Sequence, residues 1–338
     1  MTNGIKSLRQ IQLSRETSQG SPTTDFEVWR GEGTIEDKRE IVFPAEDVGI
    51  FGGTTRSYCP LALTELVLGE SPATFEQLYH TFDSGIYKAT PTTDASSAKI
   101  RTYTLPLTQA TLKSSSDLQT YSVKAGDNNE VEKSAFMFTT EFEISGSAGE
   151  ALNITSTMTG RELFSDTAGF DASADIPTSE TVLFGLGKLY IDSSSDGFGV
   201  TQVSNTLLSF NLKVTGLWIA QPTGDGRIDY SLVKMVMPEI TDEITFEHNG
   251  SASTEKAAFK NQTTRLIQVK FEGSALSDTD AGATYDKKTL IFNLPGRWES
   301  FGKLDEMDGN DVVTGTQRVR YDPDSAKFAA IILVSEVA

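Results

Sequence analysis

The chain has 338 residues, with 47 Asp and Glu against 29 Lys and Arg, a formal charge of −18 and an apolar fraction of 38%. That length accommodates about two domains, each able to bury its own core, and the acidic balance excludes a phosphate-clamping nucleic-acid binder, which needs clustered Lys and Arg. The lone Cys59 excludes an internal disulfide and a cysteine-based zinc site. No run approaches the ~20 apolar residues of a membrane span, and no secretion signal opens the chain, so the reading is a protein made in a reducing cytoplasm.

Residues 1–25 are polar without a sustained period and read as a flexible N-terminal arm. Phe26 to Phe43 supplies two strands, interrupted at Gly31-Glu-Gly33. Pro44 to Pro60 is a long loop carrying Ile50-Phe51, and loops of that length in compact domains are functional or docked on a partner. Leu61 to Phe82 reads as a strand running into a helix. Ser71 is the predicted N-cap and Pro72 the first helical residue. Phe75, Leu78, Tyr79 and Phe82 form one apolar stripe, and Gly85 supplies the stop. In an otherwise strand-rich sequence this helix is the landmark.

From Lys99 the strand signals strengthen. Phe136, Phe138, Thr140, Phe142 and Ile144 share one parity, while Met137, Thr139, Glu141 and Glu143 share the other. Past the turn Ser145-Gly-Ser-Ala-Gly149, Leu152, Ile154 and Met158 alternate with Asn153, Thr155 and Thr157. The pattern is an antiparallel hairpin with one apolar and one wet face. The wet face presents Thr139, Glu141, Glu143, Thr155 and Thr157.

The polar stretch before Glu180 is breaker-rich and serves as a linker, so the predicted division is a first β domain at 26–166, a linker at 167–180 and a second β domain at 181–338. In the second half, Leu208 to Val214 and Ile240 to Phe246 alternate as strands. Gly216 to Tyr230 reads as a second long loop carrying Leu217, Trp218 and Ile219. Ser251, Ala258 and Phe259 echo Ser71, Leu78 and Tyr79, with Phe246 falling on Leu66, which points to a structural duplication. The expected class is mainly β: two tandem antiparallel β-sandwich or barrel domains, each with a short flanking α-helix.

Recognisable chemistry is sparse. His80 and His248 have no Ser or Cys partner at a known catalytic spacing and read as structural. Gly49 to Arg56 is glycine-rich but lacks the Lys-Ser/Thr ending of a phosphate loop. Asp305-Glu-Met-Asp-Gly-Asn-Asp311 is the most ligand-like cluster, yet it lacks helix–loop–helix calcium spacing and reads as an acidic turn. Glu141 and Glu143 could serve a glycosidase, but a Thr- and Glu-lined strand face is ordinarily solvated surface. No catalytic residue, cofactor or metal is assigned.

Several phrases, in order, carry a resemblance: Trp29-Arg-Gly-Glu-Gly-Thr-Ile-Glu-Asp37 running on to Val42-Phe-Pro-Ala-Glu-Asp-Val-Gly49, Pro72-Ala-Thr-Phe-Glu-Gln-Leu78, Glu141-Phe-Glu-Ile-Ser-Gly and Gly149-Glu-Ala-Leu-Asn-Ile-Thr155. Ser204-Asn-Thr-Leu-Leu-Ser-Phe210, Pro238-Glu-Ile-Thr-Asp-Glu-Ile-Thr-Phe-Glu-His248, Glu255-Lys-Ala-Ala-Phe259 and Asp308-Gly-Asn-Asp-Val-Val-Thr-Gly-Thr-Gln317 continue it. The chain resembles the tail tube (major tail) proteins of long-tailed bacteriophages. The resemblance implies a structural virion protein, not an enzyme, whose sheet joins its neighbours' sheets to line a hollow tube. A two-domain chain resembles the subset that forms homotrimeric, pseudo-hexameric rings. Implied partners are further copies of the chain, the tape measure and tail terminator proteins, and passing genomic DNA held without tight binding, with no membrane. On this reading Thr139, Glu141, Glu143, Thr155 and Thr157 face the lumen, while Ile50, Phe51, Leu217, Trp218 and Ile219 contact stacked rings. The alternative is another virion or cell-surface β module, an adhesin or a carbohydrate binder.

Overall fold

Alternation of apolar and polar side chains places nearly half of the chain in strands, because a strand turns successive residues to opposite faces. The computed structural model describes residues 3–94, 97–279 and 282–337. Its first half runs β1 (Gln10–Arg15), β2 (Glu27–Val28), β3 (Gly33–Asp37), β4 (Glu40–Val42), β5 (Tyr58–Leu61), β6 (Thr64–Pro72) and α1 (Leu78–Gly85). There follow β7 (Thr92–Thr93), β8 (Lys99–Thr104), β9 (Tyr121–Gly126), β10 (Val131–Ser147), β11 (Asn153–Gly160) and β12 (Phe164–Ser165). The second half runs β13 (Gly187–Asp192), β14 (Gln202–Val203), β15 (Leu207–Thr215), β16 (Trp218–Pro222), β17 (Tyr230–Met235), β18 (Glu239–Glu247) and α2 (Gly250–Lys260). It ends with β19 (Arg265–Ala275), β20 (Lys287–Phe301), β21 (Asp305–Met307), β22 (Asn310–Val319) and β23 (Ala330–Ser335). The protein is mainly β with antiparallel ladders, the class expected from its sequence.

The two halves share one wiring. In the first, β6 lies between β3 and β11, β11 pairs with β10, β10 with β9, and β9 with β1. In the second, β18 lies between β15 and β22, β22 pairs with β20, β20 with β19, and β19 with β13. A two-stranded hairpin, β4–β5 or β16–β17, precedes β6 or β18, and a helix follows. Register fixes the correspondence. Met158 pairs with Thr139 at the register shift of β10 as Gln317 pairs with Trp298 at that of β20, and these two oppose Leu66 and Asp242, so Leu66 corresponds to Asp242 and not, as expected, to Phe246. On that alignment Tyr79 and Phe82 fall on Glu255 and Ala258, two of the residues by which α2 is buried.

Each half passes one long strand between two sheets. The start of β10 pairs with β9 and β12, whereas its end pairs with β11 and β15. Register shifts at Ser134/Met137 and Thr139/Glu141, with Phe136 at φ 57°, turn the strand from one sheet to the other. In the same way β20 joins β19 and β23 early and β22 late, with a shift at Trp298/Ser300.

Two pairings between strands of different halves help to bind the halves together. β15 adds to the free side of β10, from Glu141 opposite Thr215 to Ser147 opposite Ser209. One antiparallel sheet results, in the order β3-β6-β11-β10-β15-β18-β22-β20. The excursion between α1 and β9 sends β8 across to pair with β23 of the second half. It also seals α1: Tyr103 of β8 lies 5.4 Å from Phe82, and every residue of α1 is buried. With no such insertion, α2 buries only Ala252, Glu255 and Ala258.

Several expectations are corrected. The predicted arm, whose first two residues lie outside the described ones, holds β1, paired with β9 and buried. Its polar residues do not mark disorder, because Gln12 bonds the Asp171 carbonyl at 2.9 Å and Ser14 the Thr23 hydroxyl at 2.5 Å. Ser71 and Pro72 are not a helix start but the end of β6, opposite Ile154 and Asn153. The helix begins at Leu78, although all four residues of the predicted stripe are buried. Likewise Asn249, not Ser251, caps α2, its side chain accepting from the Ser251 and Ala252 amides at 2.9 and 3.2 Å. The segment 167–180 is docked on the first half, with Asp175 bonded to Phe26 and Val28 and the Glu180 carbonyl to Phe75.

Candidate functional site

The eight-stranded sheet has one face on the core and one polar face crossing both halves. In one row Thr155, Glu143, Lys213, Thr241 and Arg318 lie opposite one another in turn. The next row runs Asn153, Ser145, Asn211, Glu243 and Thr316. A third places Thr34, Val67, Thr157, Glu141 and Thr215 in line. Short hydroxyls, amides and carboxylates satisfy one another across the strands: Asn211 donates to Glu143 at 2.6 Å, Thr157 to Glu141 at 3.4 Å, and Thr245 meets Thr314 at 2.9 Å. Four of the five sequence-predicted face residues, Glu141, Glu143, Thr155 and Thr157, therefore come together.

Thr139 does not join them. The register shift at Thr139/Glu141 reverses its side, and it is buried under α1, with its hydroxyl 2.7 Å from that of Ser84.

The loop predictions divide. Ile50 and Phe51 are exposed at the end of the β4–β5 hairpin. Leu217 and Trp218 are not an exposed tip: they are 3% and 1% exposed, and the Trp218 indole donates to the Ile86 carbonyl at 2.8 Å. Only Ile219 of that trio reaches solvent. Sequence alone could not see that this segment is a hairpin seated on the first half, where the Tyr230 ring lies tilted 5.1 Å from that of Phe136 and its hydroxyl donates to the Phe136 carbonyl.

Two strand edges are open at opposite ends of the sheet, a feature the sequence reading missed. β3 pairs only with β6, and residues 297–301 of β20 pair only with β22 among the described residues. Unpaired edges present a row of amides and carbonyls ready for another strand. A local signal existed in the charges that bracket them, Glu36 to Glu40 and Arg297 to Lys303, which discourage indiscriminate pairing.

A buried polar network surrounds α1. The Asp83 carboxylate meets Arg15 at 2.7 Å and the Tyr103 hydroxyl at 2.8 Å. Burial pushes the Asp83 carboxyl up, opposed by Arg15 and Tyr103. His80 joins the Tyr121 hydroxyl at 3.0 Å to Glu27 at 3.2 Å. Burial works against the Glu27 charge, but His80, Gln77 and Tyr79 hold it below the ordinary carboxylate range. Every member has a structural partner, which fits the structural reading of His80. The Asp305–Asp311 cluster forms the β21–β22 turn. Among the described residues no set of three or more His, Cys, Asp or Glu side chains is grouped to hold a metal ion, and no helix is long and apolar enough to cross a membrane.

Compared with known proteins, the chain matches no family model and no curated protein sequence.

Proposed function

We propose that the protein is a structural virion component that joins copies head to tail, edge to edge, into rings that stack as the hollow tail tube of a long-tailed bacteriophage. The observation that carries this reading is the junction inside the chain. Two equivalent units are already joined by the end of β10 and the edge of β15, and the corresponding edges, residues 297–301 and β3, stand unused at the two ends of the sheet. Such a contact is heterologous and repeats from copy to copy, closing into a ring if the rotation allows. Three chains would set six equivalent units around an axis. The Thr- and Glu-rich face would then line the lumen, with carboxylates Glu141, Glu143 and Glu243 repelling DNA phosphates so that the polymer slides through. A carbohydrate binder would set aromatic rings along that face, and the rows described above contain none.

The internal register predicts the contact. Glu141 opposite Thr215 becomes Ser300 of one copy opposite Lys38 of the next. In a Cys59→Ser background, Ser300→Cys with Lys38→Cys and a short thiol-bridging reagent is expected to give a ladder of covalent oligomers, and electron microscopy of the parent to show rings or hollow tubes. Monomers alone in both experiments would overturn the proposal.

A further inference from the structure

The internal junction has a second component besides strand pairing. The hairpin β16–β17 of the second unit lies on the first: the Ala62 amide donates to the Ile228 carbonyl at 2.9 Å, and the Arg161 guanidinium donates to the Tyr230 carbonyl at 3.1 Å. Asp229 sits 4.0 Å from Arg161. By register, the first unit's Phe138, Thr159 and Arg161 correspond to Arg297, Arg318 and Arg320 in the second. The backbone is similar there, the Arg320 amide bonding the Pro295 carbonyl and the Arg161 amide the Ala135 carbonyl, positions one residue out of step on that alignment. Where the first unit is filled by Ile228–Tyr230, the second has an open groove of about 970 Å³. Those three arginines line it together with Met235, Met237 and Leu107. Met237 is 92% exposed.

We propose that this groove receives the β4–β5 hairpin of a second copy of the chain, residues 43–57 forming its tip. This rests on the head-to-tail reading above and assigns the hairpin to a contact between neighbours within a ring. The occupant is the topological counterpart of the hairpin that fills the first unit's site. It stands bare, with Phe43, Ile50 and Tyr58 exposed and Phe51 fully so, and exposed apolar side chains of this size call for a covering surface. The charges are complementary. Arg320 makes no ion pair among the described residues, and neither do Glu40 and Asp47 at the hairpin. The groove adjoins the open edge at Arg297, so one approach of the next copy engages both. One bond of the template is not repeated, because Pro238 stands where Ala62 donates.

Sedimentation of full-length protein tests this with two variants changed outside the core: Arg297→Glu with Arg320→Glu, and replacement of residues 44–56 by a Gly-Asn-Gly turn. Circular dichroism confirms that each folds. Both are expected to weaken self-association at least tenfold, and adding Asp47→Lys to the arginine variant to recover part of the loss. If the parent associates and the Ser300–Lys38 bridge forms, yet either variant associates within threefold of the parent, the hairpin assignment is wrong while head-to-tail joining stands. A parent that neither associates nor bridges overturns both.

Discussion

Replacing Asp242 by Leu and Gln317 by Met would carry the first unit's buried pair, Leu66 and Met158, into the second. All four side chains are almost fully buried. In the second unit, neither Asp242 oxygen reaches a partner beyond its own backbone amide, and the Gln317 side-chain carbonyl has none. Burial pushes the Asp242 carboxyl well above its ordinary range, which favours its protonated form in the folded protein. A buried polar group without a hydrogen bond costs about 1–3 kcal/mol. Burying a leucine there gains about 1.5–3 kcal/mol, and overpacking takes back about 1–3 kcal/mol. The net expectation is stabilisation by about 2 kcal/mol, read as a higher urea midpoint at pH 7. The sign with pH follows. Between the unfolded value of about 4 and the raised folded one, the unfolded chain binds fewer protons, so Asp242's contribution to stability falls as pH rises, by up to about 1.4 kcal/mol per pH unit. The variant loses that slope. A double variant with a midpoint at or below the parent's, or with the parent's pH slope, would refute the reasoning.

Trp218→Ala removes a side chain that is 1% exposed and bonded to Ile86 in the other unit. A loss of about 3–5 kcal/mol is expected, measured as a fall in thermal midpoint before any effect on assembly; an unchanged midpoint would contradict its place in the core. Hydrogen bonds and charge from Lys188 and Lys270 hold the Glu272 carboxyl down to about 2. Its depressed pKa stabilises the fold above pH 4.5, and that contribution is lost as pH falls toward 2. Glu272→Gln should therefore flatten the acid limb of a stability–pH curve between those values, and an acid limb as steep as the parent's would count against the ion pairs.

Much of the fold was legible locally. The wet strand face of Glu141, Glu143, Thr155 and Thr157 follows from period-two alternation, which depends only on adjacent residues. The helix around Leu78 to Phe82 announced itself by its stripe, though not its start, because Ser71 and Pro72 are equally suited to finishing a strand opposite Ile154. Alternation failed at Thr139, where one extra residue in β10 exchanges the faces. It failed at β1 too, where Gln12 and Ser14 resemble a solvated arm but are buried, Gln12 with a partner far along the chain at Asp171 and Ser14 with Thr23.

Composition and local patterning were enough for the β class and the acidic charge balance. Which edges remain open, that Trp218 is core, and that the counterpart of Leu66 is Asp242 emerge from the folded chain alone. Those are properties of pairing between distant segments, as when β10 takes β15 or β8 crosses to β23. A strand's own residues state which side is greasy; they do not state who lies beside it.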